Sequence, residues 1–69
     1  MLMSKENVLK PRVEILDHEL NNWITTSTHK NEENAIINAD VISKSRKCRA
    51  RVIYKGNIIF EVHNDQKEV

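Results

Sequence analysis

Val13, Leu16, Leu20 and Trp23 recur at spacings of three, four and three, the stripe of one helical face. Read as a strand, the same stretch fails, because His18 and Asn22 would share a face with Leu16 and Leu20. Pro11 stands just ahead of it, where a fixed φ suits the first turn of a helix. The pattern predicts a helix over 12–22, closed by Asn21 and Asn22. The next run, Trp-Ile-Thr-Thr-Ser-Thr, is aromatic and β-branched and predicts a strand over 23–28. After a turn over 29–31, Asn31 offers a capping side chain, and Glu32 and Glu33 face the positive end of a helix dipole. Ala35, Ile36, Ala39 and Ile42 then fall on one side, and Lys44, Arg46 and Lys47 crowd the far end. Ile37, Ala39 and Val41 also alternate as a strand would, but the charges at the two ends favour a helix over 32–45.

Residues 48–63 read as a β-hairpin about Gly56, the single glycine of the chain. Cys48, Ala50, Val52 and Tyr54 share one face of its first strand, and Ile58, Phe60 and Val62 one face of its second. A loop with an odd number of residues sets both groups on the same side, whereas a two-residue loop would divide them. The outer face then carries Arg49, Arg51, Ile53, Ile59, Glu61 and His63, with Arg49 or Arg51 opposite Glu61. The expected fold class is α+β, in the order α-β-α-β-β. A three-stranded antiparallel sheet would carry the 32–45 helix, with the 23–28 strand at either edge of the hairpin and the N-terminal helix added. Residues 1–10 are expected to form a flexible arm, 11–63 a single domain and 64–69 a polar tail.

Composition narrows the function. With 69 residues, 39% apolar and 30% charged, the chain fits one small folded domain and is too apolar for a typical disordered segment. A domain of about 60 residues buries only ~60% of its unfolded surface, so association with itself or a partner is expected. No window approaches the ~18 apolar residues of a membrane span. The apolar N-terminus stops at Met3, so no signal peptide is expected and the expected location is cytoplasmic. One cysteine excludes an internal disulfide. A net charge of +1 argues against a DNA mimic and against a strongly basic coat protein.

Little in the chain suggests catalysis. His18, His29, His63 and Cys48 match no zinc spacing, so no metal or other cofactor is expected. Cys48 lies among cations that could lower its pKa, but the hairpin register points it inward. One glycine leaves no phosphate-cradling loop. No enzyme is expected.

The most prominent local feature is basic. Lys44, Arg46, Lys47, Arg49 and Arg51 place five cations within eight residues. They suit an acidic protein surface or nucleic-acid phosphate, and equally a solvated surface. The few aromatics are assigned mostly to the core, which leaves no stacking platform for single strands. A second feature is apolar. Ile37 and Val41 lie opposite the core stripe of their helix, and Ile53 and Ile59 on the outer face of the hairpin. They could pack under the N-terminal helix, form a homodimer contact through Ile37 and Val41, or dock a partner.

An aromatic-led strand over 23–28, an acid-started helix over 32–45 and a tight hairpin over 49–62 about Gly56 together resemble several very small phage-encoded proteins. Among these are inhibitors of host RNA polymerase and antitoxin-like blockers of host defence nucleases. The resemblance covers the last two-thirds of the chain, lies in layout, size and composition, and carries over no functional residue. It implies a non-enzymatic protein-binding module that inhibits or redirects a host protein by occlusion. Arg46, Lys47, Arg49 and Arg51 would meet an acidic patch, with Ile53 or Ile59 as apolar anchor. On that reading, Arg49→Glu with Arg51→Glu abolishes binding and leaves the fold intact. The alternatives are a nucleic-acid-binding regulator using the 44–51 segment and a structural homo-oligomer.

Overall fold

A computed structural model describes residues 10–65. Its elements are β1 (Arg12–Asp17), β2 (Asn22–Thr28), α1 (Glu32–Arg46), β3 (Arg49–Tyr54) and β4 (Asn57–His63). The four strands form one antiparallel sheet in the order β2-β1-β3-β4, so the first strand of the chain is central. The class is α+β with one described helix and four strands.

The helix expected over 12–22 is corrected to a β-hairpin. Val13 and Ile15 alternate with Glu14 and Leu16, and the period-2 pattern ends at Asp17. Asp17 Oδ1 then accepts from the backbone N–H groups of Glu19 (2.9 Å) and Leu20 (3.3 Å), which folds the chain back. Asn21 completes the reversal in the left-handed region at φ 52°. Leu20, part of the apparent helical stripe, is 69% exposed at this turn. The 23–28 strand therefore pairs with β1, not with an edge of the C-terminal hairpin.

The helix itself runs from Glu32 to Arg46. Asn31 caps it, its Oδ1 accepting from Asn34 N–H at 2.8 Å. Lys47 ends it at φ 53°, its N–H returning to the Ser43 carbonyl. Ala35 and Ala39 are fully buried against Val13, Ile15, Cys48, Ala50 and Val52, with Ile36, Ile42, Phe60 and Val62 packed around them. Alanines at both sides of the contact let α1 lie close to the sheet. The cost is a core in which, among the described residues, valine (Val13 and Val52) is the largest fully buried side chain.

The second hairpin corrects the expected loop. Tyr54 pairs with Asn57, so the turn has two residues, Lys55 and Gly56, both with positive φ (52° and 79°). That turn alone would divide the apolar sets. A bulge restores them: Val52 pairs with Phe60 and Ile53 with Ile58, leaving Ile59 unmatched. Ile59, expected on the outer face, packs against the core instead, and Ile58 is the residue left 52% exposed.

The first two residues of the expected polar tail are tied down. Asn64 N–H donates to the Cys48 carbonyl and Asn64 Nδ2 to Ser43 Oγ (2.9 Å), while Ser43 Oγ donates to the same carbonyl. Residues 66–69 and residues 1–9 of the expected arm lie outside the described residues.

Two helix-end substitutions test this account. Lys47→Gly, which relieves a positive φ, is expected to raise stability by about 0.5–1 kcal/mol. Asn31→Ala, which removes the cap, is expected to lower it by about 1 kcal/mol. The midpoint of urea unfolding reads both.

Candidate functional site

The five clustered cations come from a helix end and a strand, and the fold divides them. Lys44 lies on the exposed side of α1, 3.1 Å from Asp40 one turn before it. Arg46 and Lys47 stand exposed at the helix C-terminus. Arg49 donates from Nε to Asp65 Oδ2 at 2.9 Å. Arg51 points to the sheet face away from α1, alternating with the buried Ala50 and Val52.

On that face Glu14 gathers the charge. It is buried in the central strand, and Arg51 Nε donates to its Oε1 at 2.8 Å. Arg12 Nε donates to its Oε2 at 3.0 Å, and Thr25 Oγ1 reaches the same oxygen at 3.5 Å. The Arg51 guanidinium also lies over the Trp23 ring, 3.9 Å from its centroid. Burial pushes the Glu14 pKa up, but the hydrogen bonds and charges of Arg51 and Arg12 outweigh it and hold the carboxyl below its ordinary 4.5. Register sets Arg51 opposite Glu61, yet the described partner of Glu61 is His63, 2.8 Å away.

This arrangement changes what Arg49 and Arg51 can offer. Both carry structural ion pairs, and Arg51 is well shielded by Trp23 and Glu14. Arg51→Glu would set a second carboxylate against buried Glu14, so the double charge reversal tests the fold before it tests binding. Ile53 is buried opposite Arg12, and Ile59 packs on the core. Neither anchor named from the sequence is presented to a partner.

At the other end of the sheet, Asp65 meets Arg49 and lies 3.6 Å from His18 in the first turn. Burial raises its pKa, while the Arg49 hydrogen bond, its own backbone and the charges of Arg49 and His18 bring it below the usual value. Cys48 is a buried free thiol. Burial pushes its pKa up, Arg46 opposes and Asp65 adds, so the cationic neighbourhood does not yield a thiolate. Among the described residues, no three of His, Cys, Asp and Glu gather as metal ligands. No described helix is long and apolar enough to cross a membrane.

What the fold does expose is apolar. Ile37 and Val41, 56% and 59% exposed, stand one turn apart on the outer side of α1. Lys44 continues that stripe at the next helical step. Ile24 of edge strand β2 is 38% exposed on the α1 side of the sheet, opposite Ile15. Comparison with protein families, curated proteins and solved structures finds no match to the chain.

Glu14→Gln is the test of the buried cluster. It leaves two arginines without a countercharge and is expected to cost about 2 kcal/mol at neutral pH. A carboxylate whose pKa is depressed by folding stabilises the native state above its unfolded value. That contribution is lost as pH falls from about 4.5 through the native value. Stability of the Gln variant should therefore fall less between neutral pH and about pH 3 than that of the natural sequence, measured by urea unfolding at each pH.

Proposed function

We propose that this chain is a non-enzymatic protein-binding module of the kind its layout resembles, a small phage-encoded protein that occludes a surface of a host protein. The observation that carries the reading is the outer stripe of α1. Ile37 and Val41 present more than half of their surface, and the stripe runs on into Lys44, with Lys47 beyond it at the exposed helix end. An apolar pair bordered by Lys44 suits a partner with a shallow apolar groove and an acidic rim. Burying each β-branched side chain supplies about 1–2 kcal/mol, and the cations steer the encounter. The Lys44–Asp40 pair is exposed and worth at most about 0.5 kcal/mol, so Lys44 can exchange Asp40 for a partner carboxylate.

On this reading recognition lies on α1, and Arg49 and Arg51 stay with their carboxylates. Phosphate binding by the same cations is the competing reading, and salt separates the two. Affinity for duplex DNA should fall with a log–log slope on the order of −0.9 per phosphate neutralised, whereas an apolar anchor gives a shallower dependence.

The test is affinity capture with the tagged chain from a host lysate treated with nuclease, followed by titration of the retained protein. Ile37→Glu and Val41→Glu are each expected to weaken binding about tenfold or more, with circular dichroism unchanged. Ile58→Glu, at an exposed isoleucine off this stripe, should leave binding as it was. Capture lost on nuclease treatment, or affinity indifferent to both α1 substitutions, overturns the reading.

A further inference from the structure

β2 is an edge strand that pairs, among the described residues, with β1 alone. Its sequence, Asn-Trp-Ile-Thr-Thr-Ser-Thr, contains no charge and no proline. Edge strands are ordinarily protected from adding another strand by charges, proline or a bulge. The opposite edge, β4, has such protection in Glu61 and His63. β2 has a bulge, but it falls at Thr26: Glu14 pairs with Thr25 and Val13 with Ser27. Residues 22–25 below it keep a regular ladder with β1. That stretch carries no charge or proline to block pairing; its Trp23 N–H donates to Asn22 Oδ1 (3.0 Å), a local bond that a pairing strand must displace, and the run is rich in β-branched residues.

We infer that a second copy of this chain adds to this edge, β2 against β2, antiparallel about a two-fold axis at Ile24. Strand polarity and side-chain character select that occupant. With the axis at Ile24, each Ile24 meets its own copy, Trp23 meets Thr25 of the second copy, and Asn22 meets Thr26. Opposed residues share a face of the sheet. The Ile24 pair lies on the α1 side, since Ile24 sits opposite core residue Ile15. The two Trp23–Thr25 pairs lie on the other side, where Trp23 already covers Arg51. Apolar thus meets apolar at Ile24, the Thr25 methyl meets the Trp23 ring, Asn22 meets Thr26, and neither strand brings a charge that would meet its like. A two-fold axis normal to the sheet makes one eight-stranded sheet with both α1 helices on the same side. The Ile37–Val41 stripes stay exposed, so the pairing is independent of docking through α1.

The contact is small, so dissociation in the range of about 10–100 µM is expected. Sedimentation equilibrium of the full chain from roughly one-tenth to ten times that range reads it, and the mass should double across the series. Ile24→Lys, which opposes two ammonium groups at the axis, should hold the chain at one mass throughout. Ile58→Lys on the β4 edge should leave the transition unchanged. Should Ile24→Lys fail to fold, amide exchange on the natural sequence decides. Alternate amides within 22–26, those turned away from β1, should slow with concentration, while β4 amides do not. A single mass at every concentration, a dimer insensitive to Ile24→Lys, or one dissociated by Ile58→Lys overturns the inference. So does exchange in β2 that ignores concentration.

Discussion

Placing Glu14 in the middle of the sheet constrains everything around it. β1 is one of the two interior strands, and Val13 and Ile15 must face α1 to make a core, so Glu14 is forced to the other side. A carboxylate buried there is tolerable only with countercharge and hydrogen bonds. Arg12 from its own strand and Arg51 from β3 supply both. Holding Arg51 on Glu14 fixes where its guanidinium lies, and Trp23 closes over it from β2. One acidic residue thereby links β1, β2 and β3 on the face opposite the helix.

The other face is built on small side chains. Ala35 and Ala39 on α1, with Ala50 on β3, allow close approach but bury little area. Polar contacts finish the job at the open end of the helix, where Ser43 holds the Cys48 carbonyl and receives Asn64. A short chain with so small a core has few β-branched residues to spare. That Ile24, Ile37, Val41 and Ile58 nonetheless stand exposed is why surface recognition, rather than chemistry in a cleft, organises the functional reading.

Local signals were legible in the sequence, and long-range ones were not. The α1 ends were readable because capping and dipole effects act within a turn, and Asn31, Glu32 and Lys44 stand where those effects need them. β2 was readable from its own β-branched composition. β1 was not, because Val13, Leu16, Leu20 and Trp23 match a helical period by accident of crossing a turn. The signals against a helix were present in Asp17, an Asx-turn residue, and in the Val-Glu-Ile alternation before it. The parity argument for the last hairpin was sound, but it assigned the extra residue to the loop instead of to a bulge at Ile59. The basic cluster was visible as five neighbours in sequence. The carboxylates that pair Arg51 and Arg49 lie 37 and 16 residues away, and only the fold brings them together.

That pairing also decides what kind of surface the molecule offers. Cations engaged by buried or half-buried carboxylates contribute to the fold and add little to long-range steering, because the pair is nearly neutral seen from outside. Among the basic cluster, Lys44, Arg46 and Lys47 remain at the exposed end of α1, where Lys44 adjoins the apolar stripe and Arg46 falls on the opposite side of the helix. Lys44 therefore sets charge at the rim of an apolar contact, with Arg46 and Lys47 at the same helix end, an arrangement in which electrostatics sets the rate of encounter and buried area sets its lifetime.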